Sequence, residues 1–150
     1  QEALTRYLND HRDELRRLEH VEKVVELKLD DGVVVSGRID LIRHTDTNEV
    51  VIVDFKSDER AQQEHITDMQ LHIYAAGYEQ LTGKRPDLIE VHNMDQGGTA
   101  RSLVDDKTIQ DTMKAVTRAG HKLQENDLPR LRKWEETCTQ CEFAGLCRTS

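Results

Sequence analysis

The chain has 150 residues, of which 33% are charged and 36% are hydrophobic, and its net charge at pH 7 is −8. This length suits one domain, and the acidic balance excludes a protein whose whole surface grips nucleic acid, so a site of that kind has to be local. No apolar run approaches the roughly 20 residues of a membrane span, and no signal peptide is recognisable, so we expect a cytoplasmic protein without a membrane partner. The chain begins with Gln1 rather than Met, which leads us to expect a fragment of a longer protein.

The first third of the chain predicts a helix and then a hairpin. Apolar residues and His11 recur at helical spacing through about Glu19, which indicates an amphipathic helix. Apolar and charged residues then alternate from Val21 to about Leu29, and the turn residues 30–32 lead into a second strand from Val33 to Ile42.

The rest of the chain predicts alternating strands and helices. We expect strands from Glu49 to Lys56 and from Leu88 to His92, a short strand from Arg101 to Val104, and helices from Ile66 to Leu81 and from Thr108 to about Asn126. Residues 128–150 form an irregular tail with the cysteines. The fold class that follows is α/β, a central mixed β-sheet flanked by helices.

Two acidic residues and a lysine stand at the ends of neighbouring predicted strands. Asp40 is near the end of the second strand, and Asp54 and Lys56 close the third. Asp54 and Lys56 share one face because side chains alternate along a strand. Hard cations such as Mg²⁺ prefer carboxylate oxygen, and a nearby ammonium can stabilise a phosphoryl transition state, so this pattern predicts a metal site for phosphate chemistry.

The alternative interpretation of Asp54 and Lys56 is a solvated charge pair on an exposed strand, since such pairs are abundant on protein surfaces. The context favours the metal site. The pair closes the apolar run 50–53, and Asp40 lies near the end of the preceding strand, shortly after Gly37.

Three motifs in order resemble the RecB-like branch of the PD-(D/E)xK nuclease superfamily: Gly37-Arg38-Ile39-Asp40, Asp54-Phe55-Lys56-Ser57 and Gln70-Leu71-His72-Ile73-Tyr74. The resemblance implies a restriction-endonuclease-like core with Mg²⁺ or Mn²⁺ as cofactor. It implies that Asp40, Asp54 and the Phe55 backbone carbonyl bind the metal and that Lys56 is the catalytic lysine. Gln70 and Tyr74, one helical turn apart, would contact the DNA end or the lysine.

One part of the family pattern is missing. Members of this branch usually carry a metal-binding histidine on a helix well before the aspartate, and only His11 and His20 are found in that region. Neither lies in a recognisable version of that motif, so we assign neither. Glu26 on the first strand is a weaker candidate for an auxiliary carboxylate, and solvation at the edge of the core is the role that we expect for it.

Three cysteines are grouped in the tail as Cys138, Cys141 and Cys147. Their spacing resembles the C-terminal part of the iron–sulfur staple of RecB-like nucleases with four cysteines, which implies a [4Fe–4S] cluster in a longer parent protein. No cysteine precedes position 138, so either the upstream ligand belongs to missing sequence or the site has been abandoned. A zinc site completed by a histidine such as His121, and three unligated thiols, are the other interpretations.

The function implied is metal-dependent hydrolysis of DNA, with single strands or duplex ends as the substrate. The resemblance places residues 1–150 as one nuclease domain of a UvrD/RecB-type helicase in repair or recombination, with the helicase in cis or as a subunit. A stand-alone exonuclease of the CRISPR-associated type is an alternative. A DNA-binding scaffold that has lost activity is a third hypothesis, from another class.

Overall fold

The structure, a computed structural model, describes residues 2–29, 32–57, 64–127, 131, 133–139, 141 and 144–148, and for residues 2, 64–67, 146 and 148 it describes the backbone alone. In chain order the elements are α1 (Glu2–Asp10), a 3₁₀ helix (Glu14–Arg17), β1 (Leu18–Lys28), β2 (Val34–His44), β3 (Val50–Lys56), α2 (Glu64–Thr82), β4 (Leu88–Asn93), β5 (Thr99–Leu103), α3 (Asp106–Gln124), α4 (Glu136–Thr139) and α5 (Ala144–Arg148). Every helix in this described part is too short or too polar to cross a membrane.

Five strands form one sheet in the order β1-β2-β3-β4-β5. The pair β3 and β4 is parallel, and the other three pairs are antiparallel. A parallel pair needs a crossover, and α2 lies between these two strands in the chain. The expected α/β fold with a mixed sheet flanked by helices is therefore confirmed.

Two sequence-based assignments are wrong. The first helix ends at Asp10 rather than near Glu19, because the residues from Leu18 onward pair with β2 instead of continuing a helix. Helical periodicity and strand alternation overlap in this segment, and the tertiary pairing decides between them. The tail is not irregular throughout, since it contains the short helices α4 and α5; residues 128–130, 132, 140, 142, 143, 149 and 150 of it lie outside the described residues.

The chain divides into two compact units, Gln1–Thr117 and Arg118–Ser150. The first contains the whole sheet and α2, and the second contains the three cysteines. Whether residues 1–150 act as one domain stays a prediction.

Both faces of β3 are buried. On the α2 side Ile52 belongs to the main hydrophobic core with Leu71 and Ala75. On the other side Val51 and Val53 form a smaller core together with Leu41. A strand covered on both faces is held rigidly along its length, so the polar residues at its end are held with it.

An ionic cluster is buried on the same side as the smaller core. Glu90 of β4 is completely buried, and its Oε2 accepts hydrogen bonds from Arg43 at 2.8 Å and from Arg101 at 2.7 Å. Arg43, only 1% exposed, also lies 2.9 Å from Glu14 of the 3₁₀ helix. The cluster ties β2, β4 and β5 together and attaches the 3₁₀ helix to them.

We expect Glu90→Gln to lower the free energy of unfolding by about 3 to 5 kcal/mol, because Arg43 would be left buried without its main counter-charge. Urea denaturation measures the change. Asp111→Asn is the matched control, since Asp111 pairs with Lys114 at the surface and such pairs contribute less than about 1 kcal/mol. Equal losses in the two variants would contradict a structural role for the buried cluster.

Candidate active site

Strands β2 and β3 separate beside Asp40 and Asp54. Asp54 lies near the end of β3, as predicted, whereas Asp40 lies inside β2 and not near its end, because β2 runs on to His44. The described antiparallel register of β2 and β3 ends at the pair Leu41 and Val53. Beyond that pair the Asp40 side chain bridges the strands, because the Phe55 amide donates a hydrogen bond to its Oδ2 at 2.9 Å. An aspartate of β2 is thereby attached to the peptide that follows Asp54.

The backbone of Phe55 faces this gap between β2 and β3. The Met94 amide donates to the Lys56 carbonyl at 2.9 Å, so Lys56 directs its peptide groups toward β4. The N–H and C=O of one strand residue point to the same edge, and the edge alternates from residue to residue. Phe55 therefore directs its carbonyl, like its amide, toward the edge where Asp40 lies.

Asp54 is a buried carboxylate, 4% exposed. Its Oδ2 is paired with the Lys56 Nζ at 3.0 Å and accepts no further hydrogen bond from the described residues. Burial raises the pKa of Asp54, Asp40 raises it further, and Lys56 lowers it. The net result is a carboxylate whose charge the protein alone does not fully compensate.

Lys56 is oriented by helix α2. Its Nζ donates to the Gln70 Oε1 at 3.1 Å, and the Gln70 Nε2 donates to the Tyr74 hydroxyl at 2.6 Å. An ammonium has only donors, so Gln70 has to present its oxygen to Lys56 and its amino group to Tyr74. Of the two contacts implied for the Gln70 and Tyr74 motif, the structure describes the one to the lysine.

Gly37 makes room for this chain of hydrogen bonds. A methyl group added to Gly37 would overlap the ring of Tyr74, which is itself only 8% exposed. Any larger residue at position 37 would push the ring, and Gln70 with it, away from Lys56. Gly37 belongs to one of the sequence motifs, but no pattern in the sequence predicts this close approach to Tyr74.

The other half of α2 is anchored to β1. Tyr78 donates to Glu19 at 3.1 Å, and His44 of β2 shares that carboxylate at 2.9 Å. Gln80 pairs with the backbone of Lys28 through both its oxygen and its nitrogen, at 2.8 and 2.9 Å. These contacts fix the helix that carries Gln70, and no pattern in the sequence predicts them.

The donor set suits a hard divalent cation. Asp40, Asp54 and the Phe55 carbonyl offer only oxygen atoms, which Mg²⁺ and Mn²⁺ prefer, and the remaining positions around such an ion would be filled by water or phosphate. The buried Asp54 oxygen, whose only partner among the described residues is Lys56, is the structural observation that fits such an ion. Over the part of the chain that is described, no group of three or more His, Cys, Asp or Glu side chains could hold a metal.

The candidates that sequence analysis left unassigned make other contacts. His11 stacks on Tyr7 and contacts Glu14, while His20 is largely exposed. Glu26 is exposed and lies 3.5 Å from Lys28, which fits the solvated role expected of it. His11 is more enclosed than the surface histidine that its charged helix suggested.

The cysteines are free thiols. Cys138 and Cys147 are half-buried, and Cys141 is exposed. The Cys141 amide lies 3.4 Å from the Cys138 carbonyl, so these two residues form one turn at the end of α4. Their ligation stays a prediction.

Comparison with known proteins gives a family and a fold. A profile of the PD-(D/E)XK nuclease superfamily matches residues 1–148. No curated protein sequence matches the chain.

Solved structures with this fold include a "putative exonuclease" from Eubacterium rectale, with a TM-score of 0.61 and 15% identity over 99% of this chain. A second is the protein SSO0001, with a TM-score of 0.52 and 17% identity over 97% of this chain. The chain spans 59% of the first protein and 66% of the second. The profile match covers nearly the whole chain, and the chain belongs to the PD-(D/E)XK nuclease superfamily.

Proposed function

We propose that this chain hydrolyses phosphodiester bonds of DNA with Mg²⁺ or Mn²⁺ as cofactor, and that Asp40, Asp54 and Lys56 form its active site. The observation that carries the proposal is the convergence of these three side chains at the gap between β2 and β3, where one buried carboxylate oxygen of Asp54 has only the Lys56 ammonium as a partner among the described residues. Membership of a nuclease superfamily agrees with that chemistry.

In this proposal Asp40, Asp54 and the Phe55 carbonyl hold the cation. A bound divalent cation supplies positive charge to the scissile phosphate and helps to ionise the attacking water. The Lys56 ammonium, held by Gln70, donates a hydrogen bond to the attacking water or to a phosphate oxygen and stabilises the negative charge of the transition state. The attacking water loses a proton to solvent and its oxygen bonds to phosphorus. The bond between phosphorus and the sugar oxygen breaks, and that oxygen leaves with the electron pair and takes up a proton from solvent, so no covalent enzyme intermediate is needed.

The finer assignment follows the RecB-like motifs. We propose that the chain is the nuclease module of a repair or recombination helicase, which would feed single strands or duplex ends to the site from a domain in cis or a separate subunit. The neighbours' greater length leaves room for further sequence in a parent protein. A helicase domain encoded in the same gene supports this assignment, and a gene without one favours the stand-alone exonuclease.

Incubation of the protein with end-labelled single- and double-stranded DNA tests the activity. We expect cleavage with Mg²⁺ or Mn²⁺ and none with a chelator. Retained DNA binding without cleavage in either metal would favour the scaffold hypothesis instead.

Asp54→Asn and Asp40→Ala are both expected to abolish cleavage while the protein remains folded, since each removes a proposed metal ligand. Asp111→Asn, a surface change, should leave the rate unaltered. Cleavage at the wild-type rate by either active-site variant would show that the metal ligands are misassigned.

The stability of Asp54→Asn has a definite pH dependence. Because burial raises the pKa of Asp54, its ionisation destabilises the metal-free fold fully above the raised pKa and not at all below the ordinary value of 3.8. Denaturation in chelator should therefore show the variant more stable than the wild type near neutral pH. The difference should shrink as the pH falls toward 3.8.

Lys56→Ala should separate metal binding from turnover. An ammonium cannot coordinate a cation, so calorimetry with Mn²⁺ should show binding retained, while turnover falls by about two to four powers of ten. Lys114→Ala, at an exposed lysine, is the control. A loss of Mn²⁺ affinity as large as that of Asp54→Asn would mean that Lys56 organises the site rather than acting on the substrate.

The cysteines lead to a further prediction for the longer parent protein. Cys138, Cys141 and Cys147 provide three thiolates, so we expect this fragment to be colourless and the parent, with an upstream cysteine, to hold a [4Fe–4S] cluster. Visible spectra and elemental analysis measure both, with Cys138→Ser in the parent as control. Stoichiometric zinc in the fragment, or an anaerobically purified parent without iron, would contradict the cluster.

A further inference from the structure

An aromatic cluster lies behind the candidate site, on the opposite face of the sheet. Asp54 and Lys56 face α2, so the side chain of Phe55 between them points to the other side. There the Phe55 ring packs edge-to-face with the ring of Tyr7 of α1, with ring centroids 4.8 Å apart and planes at 85°. His92 of β4 completes the arrangement at 6.3 Å and 82° from Phe55.

Tyr7 is held firmly in this cluster. It is 1% exposed, stacks on His11 with centroids 4.3 Å apart, and meets the His92 ring at 4.6 Å. Burial and the Glu90 carboxylate raise the pKa of its hydroxyl to about 12, while Arg43 beside it lowers that pKa. Toward Phe55, Tyr7 presents its ring, in an edge-to-face pair of the kind that aromatic side chains favour.

His92 is held from its own strand. It is 8% exposed and occupies the position on β4 opposite Phe55 on β3. Its Nδ1 is 2.9 Å from the hydroxyl of Thr99 on β5, and this contact restrains rotation of the ring. Two anchored rings, one from a helix and one from a strand, thus meet the same phenylalanine.

We propose that Tyr7 and His92 are positioning residues for the active site: they hold the Phe55 ring and, through it, the Phe55 backbone, whose amide donates to Asp40 and whose carbonyl faces the gap between β2 and β3. The inference rests on the proposed function for the role of the Phe55 carbonyl as a metal ligand. The contacts between the rings do not depend on that function. The Phe55 ring is attached to its own backbone. A shift of the ring on one face of the sheet therefore displaces the Phe55 amide and carbonyl, which lie in the sheet.

Sites of this kind tolerate only small displacements of the groups around the metal. Groups around a metal tune it through their orientation, and loss of one supporting group typically lowers metal affinity by about 10- to 100-fold. A displacement of about 1 Å can lower a rate about 100-fold. The simpler interpretation is that Tyr7 only adds stability by burying apolar surface, and the two differ in what happens at Phe55.

Amide hydrogen exchange in the metal-free, ¹⁵N-labelled protein discriminates between them. In Tyr7→Leu we expect the Phe55 amide to exchange about tenfold faster than in the wild type, beyond any change at the core amide of Ile52, because local opening at Asp40 becomes easier. Tyr7→Phe keeps the ring and should keep the wild-type rate. Val50→Ala, a core change at the far end of β3, should alter all protected amides together.

Two results would overturn the proposal: a Phe55 amide in Tyr7→Leu that changes only as much as that of Ile52, or an equally selective change in Val50→Ala. If Tyr7→Leu loses its cooperative unfolding transition, His92→Leu replaces it, with the same selective loss expected at Phe55.

Calorimetry with Mn²⁺ adds the functional readout. We expect about tenfold weaker binding in Tyr7→Leu and wild-type affinity in Tyr7→Phe. A wild type that neither binds Mn²⁺ nor cleaves DNA would end the proposed function, while the exchange of the Phe55 amide would still decide the positioning role.

Discussion

Asp40 accepts a hydrogen bond from the Phe55 amide at the point where the described ladder between β2 and β3 ends. Two strands that part expose peptide groups that water or a side chain has to satisfy. Here one carboxylate oxygen of Asp40 satisfies the amide, and the neighbouring Phe55 carbonyl faces the same gap. The candidate site depends on this separation, because a ladder continued by two further residues would occupy the space in which a cation and a phosphate could bind.

The two buried charged clusters of the sheet differ in balance. On one face two arginines and two glutamates compensate each other, with Glu90 at the centre. On the other face Asp40 and Asp54 are accompanied, among the described residues, by the ammonium of Lys56. The balanced cluster connects strands. In the other cluster the excess negative charge, which the raised pKa of Asp54 reflects, destabilises the fold until a cation binds. The difference in charge separates a structural arrangement from one suited to ligand binding.

Helix α2 and strand β3 act together on Lys56. At its far end, Tyr78 and Gln80 of the helix contact β1 and fix the helix there. Nearer its start, Gln70 of the helix contacts the lysine. A long ammonium side chain has many rotamers, and holding it between Asp54 and Gln70 removes most of that freedom before any substrate arrives. Under the proposed function, rigid packing on both faces of β3 therefore serves the chemistry as well as the stability.

The sequence by itself determined the fold class, the strands that bear Asp40, Asp54 and Lys56, and the helical spacing of Gln70 and Tyr74, since alternation and helical periodicity are local properties of the chain. It did not determine where the first helix ends, because pairing of Leu18 with β2 overrode a local helical pattern. Only the tertiary structure decided that Gly37 has to lack a side chain beside Tyr74, and that Tyr7 stands behind Phe55. These contacts join residues far apart in the chain, and no spacing along the sequence encodes which distant surfaces will meet.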